Sequence, residues 1–431
     1  MRSFQATYDL LAISANNKET AINTEQTLDT GMLCDMSVVL NYDRRRESNA
    51  DEAIGKEEPD TLYDLGALAT MSLKFSKAQA QHIASILAYA LGSISNVAAG
   101  ATGYKHTITP ISGDLDVSRS NPSFTAAMRY GKNLLKQRLA SNFIDSFVLS
   151  MKKDSWVSIE AEVKSTGKRT TNMFEESVTA AYNTTSLTLA ANGVAGSTAQ
   201  ERVDNVHHIR VQVPTTLEWK DVVFSAVSAA TPAVITISPP GGVVTSTTYK
   251  ILYNIAESGI YSWCSFPARI SEPPLRTGDF LIKLGGLWNG TTWLEGHQMQ
   301  AEVKGLDWTF NQGLVPEFVP GAGTTGYANR ALRAGRVQTI KIDHDFRDYI
   351  IANRADLTEA FMVYAIAEGP EYETGQKYTV EIIWPQVAVL SAPITLDGKR
   401  LAEAGDLTVL EHDTYGSVIV NVKNKVATYA A

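Results

Sequence analysis

The chain has 431 residues, 44% of them apolar and 19% charged, with a formal net charge of −8 at neutral pH. That length allows two or three domains, and the apolar share excludes a disordered chain. The acidic balance argues against a protein that grips nucleic acid, which needs basic surface to neutralise phosphates, but not against one that surrounds DNA without holding it.

From the N-terminus, MRSFQATYDLLAISANN lacks the apolar run of a signal peptide, and no stretch approaches the ~18 apolar residues of a membrane span. Cys34 and Cys264 stand far apart and in no metal-ligand spacing, so the expectation is a soluble protein of a reducing cytosol with no membrane partner. MSVVLNY reads as a strand followed by a long loop from Arg44 to Thr61. In ALATMSLKF, Met71, Leu73 and Phe75 alternate with Thr70, Ser72 and Lys74, the period of a half-buried strand. Ser76 offers a helix cap, Ile83, Ile86, Leu87, Ala90 and Leu91 make one apolar helical face, and Gly92 supplies the stop. WVSIEAEV, Trp156 to Val163, is the strand that closes this series.

The same order recurs near the C-terminus, as befits an internal duplication. MQAEVKGLDWTF reads as a strand, Asn311 to Leu332 as a long loop, and RVQTIKID as another strand. FRDYIIANR predicts a helical turn or two, DLTEAFMVYAIAEG a helix from Asp356 to Gly369, and GSVIVNV a final strand. Between the copies, from about Ser177 to Ser258, the chain is rich in Thr, Ser, Ala and Val. HHIRVQV, VITISP and YKILYNI, around Pro239-Pro240-Gly241-Gly242, predict a small all-β insert. The expected fold class is mainly β with flanking helices: unit 1 at 1–176, the insert at 177–258 and unit 2 at 259–431.

Catalytic and metal chemistry is not visible. His207 and His208 are adjacent on a strand and point to opposite faces. Asp343, His344, Asp345 and Asp348 suit a polar strand-to-helix junction. The Gly321 to Gly326 run lacks the Gly-Lys-Ser/Thr ending of a nucleotide loop, and Ser150-Met151-Lys152-Lys153 lacks the companions of an acyl-transferring serine. The reading is no catalytic residue, no metal and no cofactor.

The order of elements resembles the tail tube (major tail) proteins of long-tailed, non-contractile bacteriophages. The segments that carry this are LYDLGALATMSLKF with the helix after it, YKHTITPISGDLDVSRSNPSFTAAMRYG, YTVEIIWPQVAVL, Gly405-Asp406-Leu407-Thr408 and VIVNVKNKVATY. They cover most of residues 30–170 and 275–431, and the match is one of pattern. The resemblance implies a virion structural protein, assembled in the host cytoplasm, whose units are β-sandwiches with a flanking helix. Six units close a ring, and stacked rings form the conduit for genome ejection. A duplicated chain then implies self-association as trimeric pseudo-sixfold rings, with hexamers as the alternative. The implied partners are tape-measure, tail-tip and terminator proteins and passing DNA that is not tightly bound. Ser158, Glu160 and Glu162, opposite the apolar set of WVSIEAEV, are the lumen-facing candidates. Arg44, Arg45, Arg46, Glu47, Asp51, Glu52, Glu57, Glu58 and Asp60 are the candidates for contact between rings.

Two other classes stand beside this one. A tail-tip, terminator or capsid-decorating protein would form caps or single rings. A secreted carbohydrate-binding β protein would use Trp288 and Trp293 as its platform, though a tight turn anchored by tryptophans explains them as well.

Overall fold

Val-, Ile-, Thr- and Tyr-rich alternation favours pleated, half-buried surfaces, and the computed structural model is mainly β with few helices. It describes residues 9–35, 40–111, 121–131, 135–242, 244–299, 303–320, 326–346 and 350–430. The chain divides into two compact units, one of Met1–Ala12, Ala127–Arg138 and Arg169–Pro267, the other of Ile13–Ala126, Leu139–Lys168 and Ala268–Ala431.

The larger unit includes, after a short strand Thr30–Met32, β1 (Leu40–Ser48), β2 (Leu62–Phe75), helix α1 (Ala80–Leu91), β3 (Gly92–Ala98) and β4 (Tyr104–Pro110). To it also belong β5 (Leu135–Lys152), from Leu139 onward, and β6 (Ser158–Ser165). The strand order is β1-β2-β6-β5, antiparallel throughout. Met36 to Val39 of the first expected strand lie outside the described residues. That strand runs on through Ser48, so Arg44, Arg45, Arg46 and Glu47 sit on β1 and not in a loop. The hairpin pairing continues past a bulge at Arg45 because Gly66, at φ +89°, lets β2 bend there. An added Cβ at Gly66 would lie 2.8 Å from Phe318 Cε1.

Helix α1 is buried on every side, beyond the single apolar face expected from its spacing. Its cap is Gln79, not Ser76: the Gln79 N–H donates to His82 Nδ1 at 3.3 Å, while the Ser76 hydroxyl donates to Asp35. Gly92 ends the helix at φ +89°, where a side chain would strike Ile111. The Gln81 N–H donates to Glu272 Oε2 at 2.9 Å, and burial pushes this carboxyl up to about 7. His82 stacks on Phe75 at 4.3 Å, and burial pushes its imidazole down to about 3.

The smaller unit contains β7 (Met173–Ala181), β8 (Ser186–Thr188), β9 (Val206–Gln212), β10 (Trp219–Asp221), β11 (Phe224–Val227), β12 (Val234–Ile237) and β13 (Ser246–Asn254). Sheets β7-β13-β9-β10 and β8-β12-β11 share one core that includes Leu187, Ile209, Val211, Ile235, Tyr249, Ile251 and Tyr253. The unit also holds a short helix, Ala199–Asp204, and it reaches beyond the 177–258 segment that composition marks off.

The larger unit resumes with β14 (Val303–Asn311), β15 (Leu314–Glu317), β16 (Arg330–Arg333), β17 (Val337–Asp345), helix α2 (Ile350–Leu357), β18 (Phe361–Glu373), β19 (Gln376–Ser391), β20 (Ile394–Asp397), β21 (Arg400–Val409) and β22 (Ile419–Asn424). The expected loop after Asn311 holds the β15–β16 hairpin. The helix expected over Asp356 to Gly369 is instead the end of α2 and then strand β18. Leu357, Phe361, Tyr364 and Ala365 happen to fit a helical spacing. Phe361, Val363, Ala365 and Ala367 also fit a period of two, and β-branched and aromatic neighbours settle the contest for a strand. β18 pairs with β19 on one side and with Phe280–Leu284 on the other.

The strand order of this half is β14-β17-β21, with the end of β19 and then β20 beyond β21. It repeats β1-β2-β6-β5 strand for strand, with a helix after the second strand each time. The counterpart of WVSIEAEV is therefore β21, not GSVIVNV. The latter, as β22, belongs to another run of paired strands, β18-β19-β22-β4-β3, continuous with the first through β19.

Candidate functional site

The two four-strand sets are one sheet. β5 and β14 pair antiparallel from Ser146↔Asn311 to Lys152↔Gly305, which gives the order β1-β2-β6-β5-β14-β17-β21-β19/β20. Aromatic packing fixes this internal seam from its buried side. Phe147 meets Trp308 edge-on at 4.8 Å and stacks on Phe310 at 5.0 Å, and Trp308 meets Trp384 edge-on at 5.4 Å. The Trp308 indole N–H donates to Gln338 Oε1 at 3.2 Å, so its polar atom is not stranded.

The opposite face is largely polar, with Val148 as an exposed apolar residue on it. One cross-strand row reads Lys74, Glu160, Val148, Thr309, Thr339, Thr408. The next reads Ser158, Ser150, Asp307, Lys341, Asp406, Ser391. Ser158, Glu160 and Glu162 all lie on this face, with Ile159, Ala161 and Val163 buried between them. Lys74 pairs with Glu160 at 2.6 Å, and this hydrogen bond raises the lysine's pKa. The face extends well beyond the three residues picked from WVSIEAEV. The same alternation in LDWTF, TIKID and GDLTV carries Asp307, Lys341 and Asp406, which a pass for period two through the second half reveals.

Among the described residues no sheet closes into a barrel, and the terminal strands differ in kind from the inner ones. Among the described residues, β1 has β2 as its strand neighbour and β20 has β21. Asp43 to Glu47 on β1 and all four residues of β20 are exposed. Exposed strand edges such as Asp43 to Glu47 and β20 can template pairing with another chain.

Beyond the sheet, β1 and β2 continue as an arm. Arg44 pairs with Asp64, with its Nε donating to Asp64 Oδ2 at 2.8 Å. Asp51, Glu52, Glu57, Glu58 and Asp60 surround the turn at its tip. Asn49 donates to Asp60 at 2.8 Å, Asp60 also pairs with Lys56, and the Tyr63 hydroxyl donates to Glu52 at 2.8 Å. Leu62, Tyr63 and Leu65 are exposed on the arm.

The remaining candidates have local partners. Trp288 is buried, Trp293 stacks on Tyr364 at 5.0 Å, and Asn289 Oδ1 accepts from the Thr291 and Thr292 N–H groups. The tryptophans thus anchor a turn and offer no exposed platform. A bulge falls between Val206 and His208, and His207 Nε2 lies 3.2 Å from Asn254 Oδ1. Buried His344 pairs with buried Glu403 at 3.0 Å and Asp345 with Lys304 at 2.7 Å, while Asp348 lies outside the described residues. Ser150 donates to Asp307. Gly321 to Thr325 lie outside the described residues. Cys34 and Cys264 are not joined in a disulfide, and burial pushes the Cys264 thiol up to about 12.

No protein-family model and no curated protein sequence matches the chain. A solved structure described as "Structure of a type six secretion system protein" aligns with 32% of this chain and 88% of its own length, at 17% identity and a TM-score of 0.17.

Proposed function

We propose that this chain is a structural, non-catalytic virion protein that polymerises as stacked rings into a bacteriophage tail tube, the conduit for genome ejection. The observation that carries this is the β5–β14 seam, where the edge of one four-strand set has already paired with the edge of the next. The outer strands β1 and β20 hold the same positions as β14 and the far end of β5. Pairing β1 of one copy with the β19–β20 edge of another repeats the seam between chains. Three copies then close a pseudo-sixfold ring, a heterologous assembly that leaves no edge exposed. The polar face lines the lumen, and the buried aromatic face is already occupied by the molecule's own core. Asp51 to Asp60, at the arm's tip, suit contact with a stacked ring, and tape-measure, tail-tip and terminator proteins are the partners at its ends.

Negative-stain microscopy of the purified chain tests this reading, with hollow tubes or rings as the expected outcome. A chain that stays monomeric at high concentration and with tail initiator present would overturn it. Three subunits per ring are expected by mass; six would mean that each chain supplies one unit.

A further inference from the structure

The β15–β16 hairpin crosses the end of the first four-strand set. Leaving the seam, the Gln312 N–H donates to Asp145 O at 3.1 Å and the Leu314 N–H to Asp145 Oδ1 at 2.6 Å, beside β5. Lys164 Nζ, at the end of β6, donates to Leu314 O at 2.8 Å. The Ala328 N–H reaches Thr166 O at 2.8 Å, and the Ala67 N–H of β2 donates to Gly326 O at 3.0 Å. The hairpin region thus passes the ends of β5, β6 and β2 in their order in the sheet, burying Leu314 and Ala331 against Phe143.

At the matching end of the second set no hairpin lies across β19, β21 and β17 among the described residues; there Gln338 Nε2 of β17 donates to Ser417 Oγ, from the segment after β21, at 2.9 Å. Val337 and Leu410 are 64% and 36% exposed there. Beside them lies a hollow of about 450 Å³ lined in part by Gln338, Val409, Glu411 and Tyr415. The element that corresponds to the β15–β16 hairpin is the β1–β2 arm, since each lies between the first and second strands of its set. That arm exposes Leu62, Tyr63 and Leu65 at 65%, 45% and 46%.

We propose that the arm's base, from Arg44 to Ser48 and from Leu62 to Leu65, docks across the β19, β21 and β17 strand ends of the lateral neighbour in the same ring. A second copy of this chain is the occupant because the first copy shows the same site filled in cis by the equivalent hairpin. Leu62, Tyr63 and Leu65 meet Val337, Leu410 and the hollow, and Arg46 approaches Glu411. The inference rests on the ring reading, and goes beyond it by naming which neighbour each arm reaches.

The test introduces Tyr63→Cys and Leu410→Cys together, treats the assembled protein with a short bismaleimide, and separates the products under denaturing conditions. Covalent dimers and trimers that stop at three, absent from either single variant, are the expected result. A ladder beyond three would place the arm on another ring, and tubes that form without cross-links would place it elsewhere; either overturns the proposal while leaving the tube reading intact. Failure to form rings or tubes at all would remove both. A second variant, Leu62→Ser with Leu65→Ser, changes only exposed side chains. It should leave the unfolding curve of the monomer unmoved while raising the concentration needed for assembly at least several-fold, and unchanged assembly would count against the docking.

Discussion

Glu272 shows how one buried carboxyl couples helix α1 to pH. It accepts the Gln81 N–H while its own N–H donates to Gln79 Oε1 at 3.0 Å, so it supports the first turn of the helix from another part of the chain. Burial raises its pKa from an ordinary 4.5 to about 7. The folded state therefore holds a proton that the unfolded state releases between those values. Its contribution is complete below about pH 4.5, falls as the pH climbs, and is fully lost above about pH 7. Glu272→Gln should flatten this dependence, removing a slope worth on the order of 3 kcal/mol between pH 4.5 and 8. Urea unfolding of the unassembled chain at both pH values checks it, and equal slopes in the two proteins would refute the assignment. Nothing in the local sequence marks Glu272 as buried, because its partners lie about 190 residues away.

At the scale of elements, the seam depends on a few large side chains that interlock across β5 and β14. Trp308→Ala would open a cavity between Phe147, Ile340 and Trp384 and should cost about 3–5 kcal/mol. A drop in the urea midpoint without a change in slope is the expected readout. Local alternation was enough to place β2, β6, β9, β12, β13, β14, β17 and β22, since side-chain period is a property of neighbours. Pairing was not legible: GSVIVNV and WVSIEAEV look alike as strings, yet β22 pairs with β19 and β4 while β6 pairs with β2 and β5. β18 was misread because aromatic and aliphatic residues there satisfy both periods, and its two strand neighbours decide the matter. The arm was hidden for a different reason. Charged residues from Arg44 to Glu47 read as loop, whereas an edge strand commonly carries charge to discourage stray pairing.

For the whole molecule, the polar sheet face makes a testable statement about passing DNA. In the proposed tube, Glu160 and Glu162 would present like charge to phosphates, and Lys74, paired with Glu160, would offset part of it. Replacing both glutamates with lysine should leave tubes intact while making them retain double-stranded DNA roughly tenfold more tightly at low salt, with the gain vanishing as salt rises. Filter retention measured across a salt series would check it; native tubes that bind as tightly as the variant would place this face elsewhere. The polar rows were partly legible, since each strand shows its own alternation. Their continuity over the whole sheet was not, because it depends on the register between strands far apart in the chain.

The joining of two strand sets within one polypeptide also constrains errors of assembly. In the proposed ring, every second joint would be made by folding, as the β5–β14 pairing is, so dilution would weaken only the alternate joints. A circle built from such pairs holds an even number of sets, and a faulty circle must gain or lose two at a time. The bore of such a ring would not drift by one step; a wrong diameter would require a change large enough to strain every joint at once.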